Sequence, residues 1–128
     1  MVEVKNLSKS FKRKEVLHSI NLGLDTKVYG LLGANGAGKT TLIRCIAGLY
    51  EPRQGEILYN NEPIRKSRSF HQDLGYLPQT FGMFQELSLY EMMDYICSLK
   101  KIPKNKIHEE ITKALESVNL ENKAGDRV

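Results

Sequence analysis

Cysteine is scarce in this chain: Cys45 and Cys97 stand 52 positions apart, with no CxxC pair and no histidine at metal-ligand spacing. That excludes a zinc site and a disulfide framework, and both thiols are expected to be reduced and buried. No apolar run of 18 residues occurs, and the N-terminal MVEVKNLSKSF has no apolar signal core, so neither membrane spanning nor secretion is supported. Proline numbers four, and hydrophobic and charged residues make up 41% and 27% of 128 residues. Collagenous and disordered classes are thereby excluded. A complete domain of this length would bury roughly two-thirds of the surface its unfolded chain exposes.

The net charge of +4 is uneven: residues 1–60 hold nine Lys/Arg against five Asp/Glu, and residues 61–128 hold ten of each. The excess suits an anionic ligand, but it is too small to imply nucleic acid, and none is expected as a partner.

Periodicity divides the chain into blocks. Val2 and Val4 alternate with charged residues, and Ile20, Leu22 and Leu24 share one face, which predicts half-buried strands joined by a basic turn at Lys12-Arg13-Lys14. Residues 28–32, VYGLL, read as a buried strand, followed by a glycine-rich turn and a helix carrying Leu42, Ile43, Ile46 and Ala47, stopped by Gly48. Residues 56–59 and 74–77 read as further strands, ended by Asn60-Asn61 and by Pro78. Ser88 and Glu91 form a capping-box signature for a helix carrying Leu89, Met92, Met93, Ile96 and Leu99. A second helix, about 105–119, carries Ile107, Ile111, Ala114, Leu115 and Val118. The class is mixed α/β.

Gly33-Ala34-Asn35-Gly36-Ala37-Gly38-Lys39-Thr40 is a full match to GxxxxGK[ST], placed between a predicted strand and a predicted helix. Wrapping a phosphate chain in backbone N–H groups demands glycine's permissive dihedrals, and the helix N-terminus adds donors and a positive dipole end. Lys39 would reach the β- and γ-phosphates and the Thr40 hydroxyl would ligate Mg²⁺. The other basic residues are expected on solvated faces.

The string LLGANGAGKTTLIRCIAGLYEPRQGEILYNNEPI resembles the start of an ABC transporter ATP-binding domain, and the resemblance extends over essentially the whole chain. It implies a P-loop NTPase core with an antiparallel β subdomain at the N-terminus (residues 1–79) and the beginning of a helical subdomain (80–128), an incomplete domain ending before the signature. It implies ATP and Mg²⁺ as cofactors, held by Gly33, Ala34, Asn35, Gly36, Ala37, Gly38, Lys39, Thr40 and Thr41. LSKSF resembles the family's A-loop, which would stack Phe11 on adenine, with Val16 lining the same pocket. Tyr76-Leu77-Pro78-Gln79 resembles the approach to the Q-loop, making Gln79 the residue that meets Mg²⁺ and the attacking water. Phe81, Met83 and Phe84 follow as docking contacts for a membrane subunit, or else tuck under the helices.

The family's hydrolytic parts are missing from these 128 residues. None of the four Asp follows four apolar residues or precedes Glu, no two glycines adjoin as in LSGGQ, and the last histidine is His108. The expectation is a chain that binds ATP weakly and does not turn over, with exposed sheet edges that favour association. The intact protein would couple ATP hydrolysis to transport, with export suggested by the loop after Gln79. It would act in the cytoplasm on the inner membrane face, with a permease and a second ATP-binding subunit as partners. The alternatives are a soluble ABC-type protein of translation or repair, or a non-hydrolysing nucleotide-binding fragment. A small kinase or GTPase is disfavoured, because neither Asn105-Lys106 nor Asn122-Lys123 continues as NKxD.

Overall fold

Val4 and Leu7 are both buried although three positions separate them, which simple alternation along a strand forbids. A computed structural model, describing residues 1–80, 82, 84 and 86–127, resolves the conflict with a bulge. Asn6 takes a left-handed φ of 50°, and the pairing register of β1 (Val2–Phe11) with antiparallel β2 (Lys14–Leu24) shifts between Val4 and Leu7. The inserted residue returns Leu7 to the core face. Ser19, at φ 46°, does the same on β2 between Leu17 and Ile20. The Asn21 side-chain oxygen takes the Asn6 N–H at 2.8 Å, satisfying a donor the bulge displaces from the ladder.

The chain divides into two compact units, Met1–Tyr76 and Leu77–Val128. In the first, β3 (Gln54–Tyr59) joins the other edge of β1, and the two-residue β4 (Glu62–Pro63) follows it, giving an antiparallel sheet in the order β2-β1-β3-β4. Helix α1 (Lys39–Ile46) contributes Leu42 and Cys45 to a core with Val4, Leu7, Leu17, Ile57, Ile64 and Phe70. Each such side chain fully withdrawn from water contributes roughly 1.5–3 kcal/mol. The α1 terminus is closed by Gly48 at φ 74°, with the Leu49 N–H reaching back to the Arg44 carbonyl at 2.8 Å. Helix α2 (Arg68–Asp73) was not foreseen in the sequence; fully buried Ser67 caps it by accepting the Phe70 N–H.

Two expected strands are not formed. Residues 28–32 pair with no strand among the described residues; Val28 is fully exposed and Leu32 is 94% exposed. A segment apolar on both faces is stable as a strand only between neighbours. Residues 74–77 are likewise irregular, with Leu77 exposed.

The second unit pairs α3 (Leu89–Leu99) with α4 (Lys104–Ser117), followed by a short 3₁₀ turn at Glu121–Lys123. Its core is Cys97, Ile107, Ile111 and Leu115. The Ser88–Glu91 capping box is formed, and the Leu89 and Tyr90 amides donate to the Asp126 and Ala124 carbonyls, both at 2.9 Å. Those two bonds satisfy donors that a helix start leaves open. Ile96 and Leu99, expected inside, are exposed, and Val118 lies past the α4 end on the surface. Both cysteines are free and buried, as expected, and burial pushes both thiols up from their ordinary pKa. No described helix is long and apolar enough to cross a membrane.

Candidate functional site

Residues 35–38 turn and bend straight into α1, whose first residues are Lys39, Thr40 and Thr41. Gly36 and Gly38 adopt φ of 82° and 95°, left-handed values that disfavour any residue with a Cβ. The Ala37 N–H donates to the Ala34 carbonyl at 3.1 Å, drawing the loop into a turn. Gly38 caps α1 with no side-chain bond, and the first helical bond runs from the Leu42 N–H to the Gly38 carbonyl at 2.8 Å. The amides of Lys39, Thr40 and Thr41 therefore have no intrahelical acceptor, and the positive end of the helix dipole lies over them.

The Lys39 ammonium folds back over this bend, donating to the Gly33 carbonyl at 2.5 Å and the Ala34 carbonyl at 2.7 Å. Two of its three protons are so used, leaving a third for an incoming oxyanion. Thr40 is exposed and Thr41 half-buried at the same helix end. Uncapped amides, a dipole end and an ammonium at one bend suit a polyphosphate; Thr40 adds an accessible hydroxyl of the hard-oxygen type that Mg²⁺ accepts.

Val16 is brought directly to this loop. A Cβ built on Gly38 would stand 3.2 Å from Val16 Cγ1 and 3.0 Å from both the Val16 carbonyl oxygen and Leu17 Cδ2. Thus β2 braces the loop from beneath.

Phe11, at the end of β1 and 40% exposed, packs against Tyr50 just beyond α1. The two rings meet edge-on, with centroids 5.3 Å apart and planes at 70°. Lys9 lies with Nζ 5.2 Å from the Phe11 centroid and 5.6 Å from that of Tyr50, while donating to the Glu51 carbonyl at 2.6 Å. Arg44, in the last turn of α1, donates to the Tyr50 hydroxyl at 2.8 Å with its guanidinium carbon 5.4 Å from the ring centre. Hydrogen bonds from Arg44 to Tyr76 and Tyr50 hold its pKa above the ordinary arginine value. Lys9 and Arg44 are thus not merely solvated, as the composition suggested. The signal was the period of two along β1, which sets Lys9 and Phe11 on one face.

A cleft of about 750 Å³ lined by Cys45, Tyr50, Ile57, Pro63 and Ile64 includes none of the phosphate-loop residues. Phosphate binding by backbone amides needs an exposed bend, not a cavity, so the cleft's size does not compete with the loop as the site.

Gln79 belongs to the second unit and is exposed in a bend that follows Pro78. Of the three expected docking residues, Phe81 and Met83 lie outside the described residues. Phe84 is exposed, its ring edge-on to Tyr95 with centroids 6.0 Å apart.

A family model described as ABC transporter matches residues 17–128. The molybdate/tungstate import ATP-binding protein WtpC of Methanocaldococcus jannaschii is 33% identical over 120 residues, 94% of this chain and 40% of that protein. Among solved structures, an ATP-binding subunit of an ABC transporter superposes with a TM-score of 0.83 at 28% identity over 98% of this chain and 53% of the other. A putative ABC transporter ATP-binding protein from Pyrococcus furiosus gives 0.77 at 33% identity over 99% of this chain and 62% of the other. CbiO1 from Clostridium perfringens, part of the cbiONQ transporter complex, gives 0.76 at 26% identity over 98% and 53%. The chain spans 40% of the curated relative's length and between 53% and 62% of the three solved chains.

Proposed function

The chain belongs to the ABC transporter family and has the fold of its ATP-binding domains, and from that premise we propose that residues 33–41 bind the phosphates of ATP. The observation that carries this reading is the Lys39 ammonium held over an uncapped helix start, between glycines in left-handed conformations. The loop amides and Lys39 hold the β- and γ-phosphates, and Thr40 supplies a hydroxyl to Mg²⁺. The metal, when bound, neutralises phosphate charge. Phe11 offers its exposed ring to the adenine, and Val16 fixes the loop beside it. The resemblance assigns Gln79 the sensing of the γ-phosphate and of water, and what supports that role is an exposed amide that both donates and accepts.

In the intact protein this site serves a transporter ATPase that works on the cytoplasmic face with a permease and a second ATP-binding subunit. Relatives that are transporter components favour this over a translation or repair factor. Direction is a separate question. The loop after Gln79 is exporter-like in composition, whereas the curated relative is named for import, and uptake against efflux in vesicles carrying the intact complex decides it.

These 128 residues hold no Asp-Glu pair after an apolar strand and no LSGGQ, so the chain binds ATP without turning it over. Equilibrium dialysis with Mg-ATP and a phosphate-release assay test both parts. Lys39→Ala is expected to weaken ATP binding by about 10- to 100-fold, the worth of a charge-assisted bond. Unchanged affinity in that variant refutes the phosphate site, and Lys39-dependent multiple turnover refutes the non-hydrolysing reading.

A further inference from the structure

We infer that Lys9 and Tyr50 are positioning residues that set the Phe11 ring for a purine base, a reading that rests on Phe11 being the base-stacking residue. Three contacts define the arrangement. Lys9 places its ammonium 5.2 Å from the Phe11 centroid, Tyr50 and Phe11 pack edge-on with centroids 5.3 Å apart, and Lys9 is itself fixed by the Glu51 carbonyl at 2.6 Å. Tyr50 in turn is anchored by the Arg44 hydrogen bond at 2.8 Å. Phe11 stands at the tip of a two-stranded hairpin, next to the Lys12-Arg13 turn, where an isolated ring would sample several rotamers.

Two consequences follow from this packing. Ordering the ring in advance removes part of the entropy a nucleotide would otherwise spend on it. An ammonium near the ring also draws on its π density, which makes the exposed remainder a better partner for an electron-rich purine. Both effects act on the base and neither acts on the phosphates. Lys9 is therefore a positioning residue for the base, distinct in its effect from Lys39.

The test compares ATP with inorganic tripolyphosphate, measured by calorimetry on the full chain. Lys9→Met, which keeps the stem and removes the charge, is expected to weaken ATP about two- to five-fold while leaving tripolyphosphate unchanged. Lys9→Arg restores the ATP affinity, and Lys9→Met has no further effect once Phe11→Ala is present. Tyr50→Leu, which leaves Lys9 in place, gives the same ATP-selective loss and guards against a folding artefact in the lysine variant. Equal weakening of tripolyphosphate, or a Lys9→Met effect that persists without Phe11, overturns the inference. If Phe11→Ala weakens ATP and neither Lys9→Met nor Tyr50→Leu does, the inference fails and the base-stacking reading stands. If Phe11→Ala itself has no effect, the base-stacking reading fails as well.

Discussion

Val16 lies so close to Gly38 that a Cβ on the glycine would stand 3.0 Å from the valine's carbonyl oxygen. The hairpin and the phosphate loop are thus pressed together at the residue that caps α1. Gly36 has a similar positive φ, yet nothing lies within 4 Å of its would-be Cβ. The two glycines therefore separate backbone strain from steric contact. Gly36→Ala is expected to cost about 1 kcal/mol of stability from strain alone, and Gly38→Ala about 2–3 kcal/mol with a matching loss of ATP affinity. Denaturant unfolding of both variants checks the order; a Gly38→Ala no worse than Gly36→Ala removes the bracing role of Val16.

A second position tests the sheet. Gly55, at φ 83°, would carry a Cβ 2.3 Å from the Lys5 carbonyl oxygen and 2.4 Å from that of Asn6, both backbone atoms that cannot swing aside. It lies opposite the bulge that returns Leu7 to the core. Gly55→Ala is expected to destabilise the first unit by about 3 kcal/mol or more, because the ladder must part to admit it. Circular dichroism during thermal unfolding measures the loss, and a change below about 1 kcal/mol contradicts this packing.

Acid sensitivity follows from the α3 cap. The Ser88 backbone N–H and hydroxyl both donate to Glu91, each at 2.8 Å, and hold its carboxyl below the usual glutamate range. A carboxylate whose folded pKa is depressed contributes stability that is complete above its unfolded pKa of about 4.3 and is lost as pH falls through the folded value. Glu109, lowered by its bond to Lys113, titrates in the same direction, so the cap is isolated by comparing variants. Glu91→Gln is expected to melt lower than the parent near neutrality, with the gap closing below about pH 4. A gap constant with pH shows that the charge of Glu91 contributes nothing.

The phosphate loop, α1, the β1–β2 hairpin and both later helices are legible in the sequence because their signals are local: fixed glycines, a capping box, periodic apolar residues. What the sequence conceals is non-local. The Val4–Leu7 spacing breaks the strand period, and only pairing with β2 shows that bulges at Asn6 and Ser19 repair it. Helix α2 has six residues, too few for periodicity to show, and its one sign is the Ser67 cap. The cluster around Phe11 joins residues 9, 11, 44 and 50, which no motif connects. VYGLL misleads for the opposite reason: its local pattern is strand-like, but strand formation requires neighbours that it lacks among the described residues.

The same segment bears on association. Val28 and Leu32 are almost entirely exposed, and Tyr29 and Leu31 are about half exposed, so one short stretch presents four large apolar side chains to water. Withdrawing all four from water at a contact between copies is worth roughly 4.5–9 kcal/mol, which against an association cost of about 4 kcal/mol or more leaves weak self-association. The chain is therefore expected to self-associate in a concentration-dependent way by light scattering. Val28→Lys with Leu32→Lys is expected to shift it toward monomer while leaving the melting temperature near that of the parent, because neither side chain contributes to the core. A parent that stays monodisperse as concentration is raised overturns the expected self-association, and a strong fall in melting temperature in the double variant would place the run in the core.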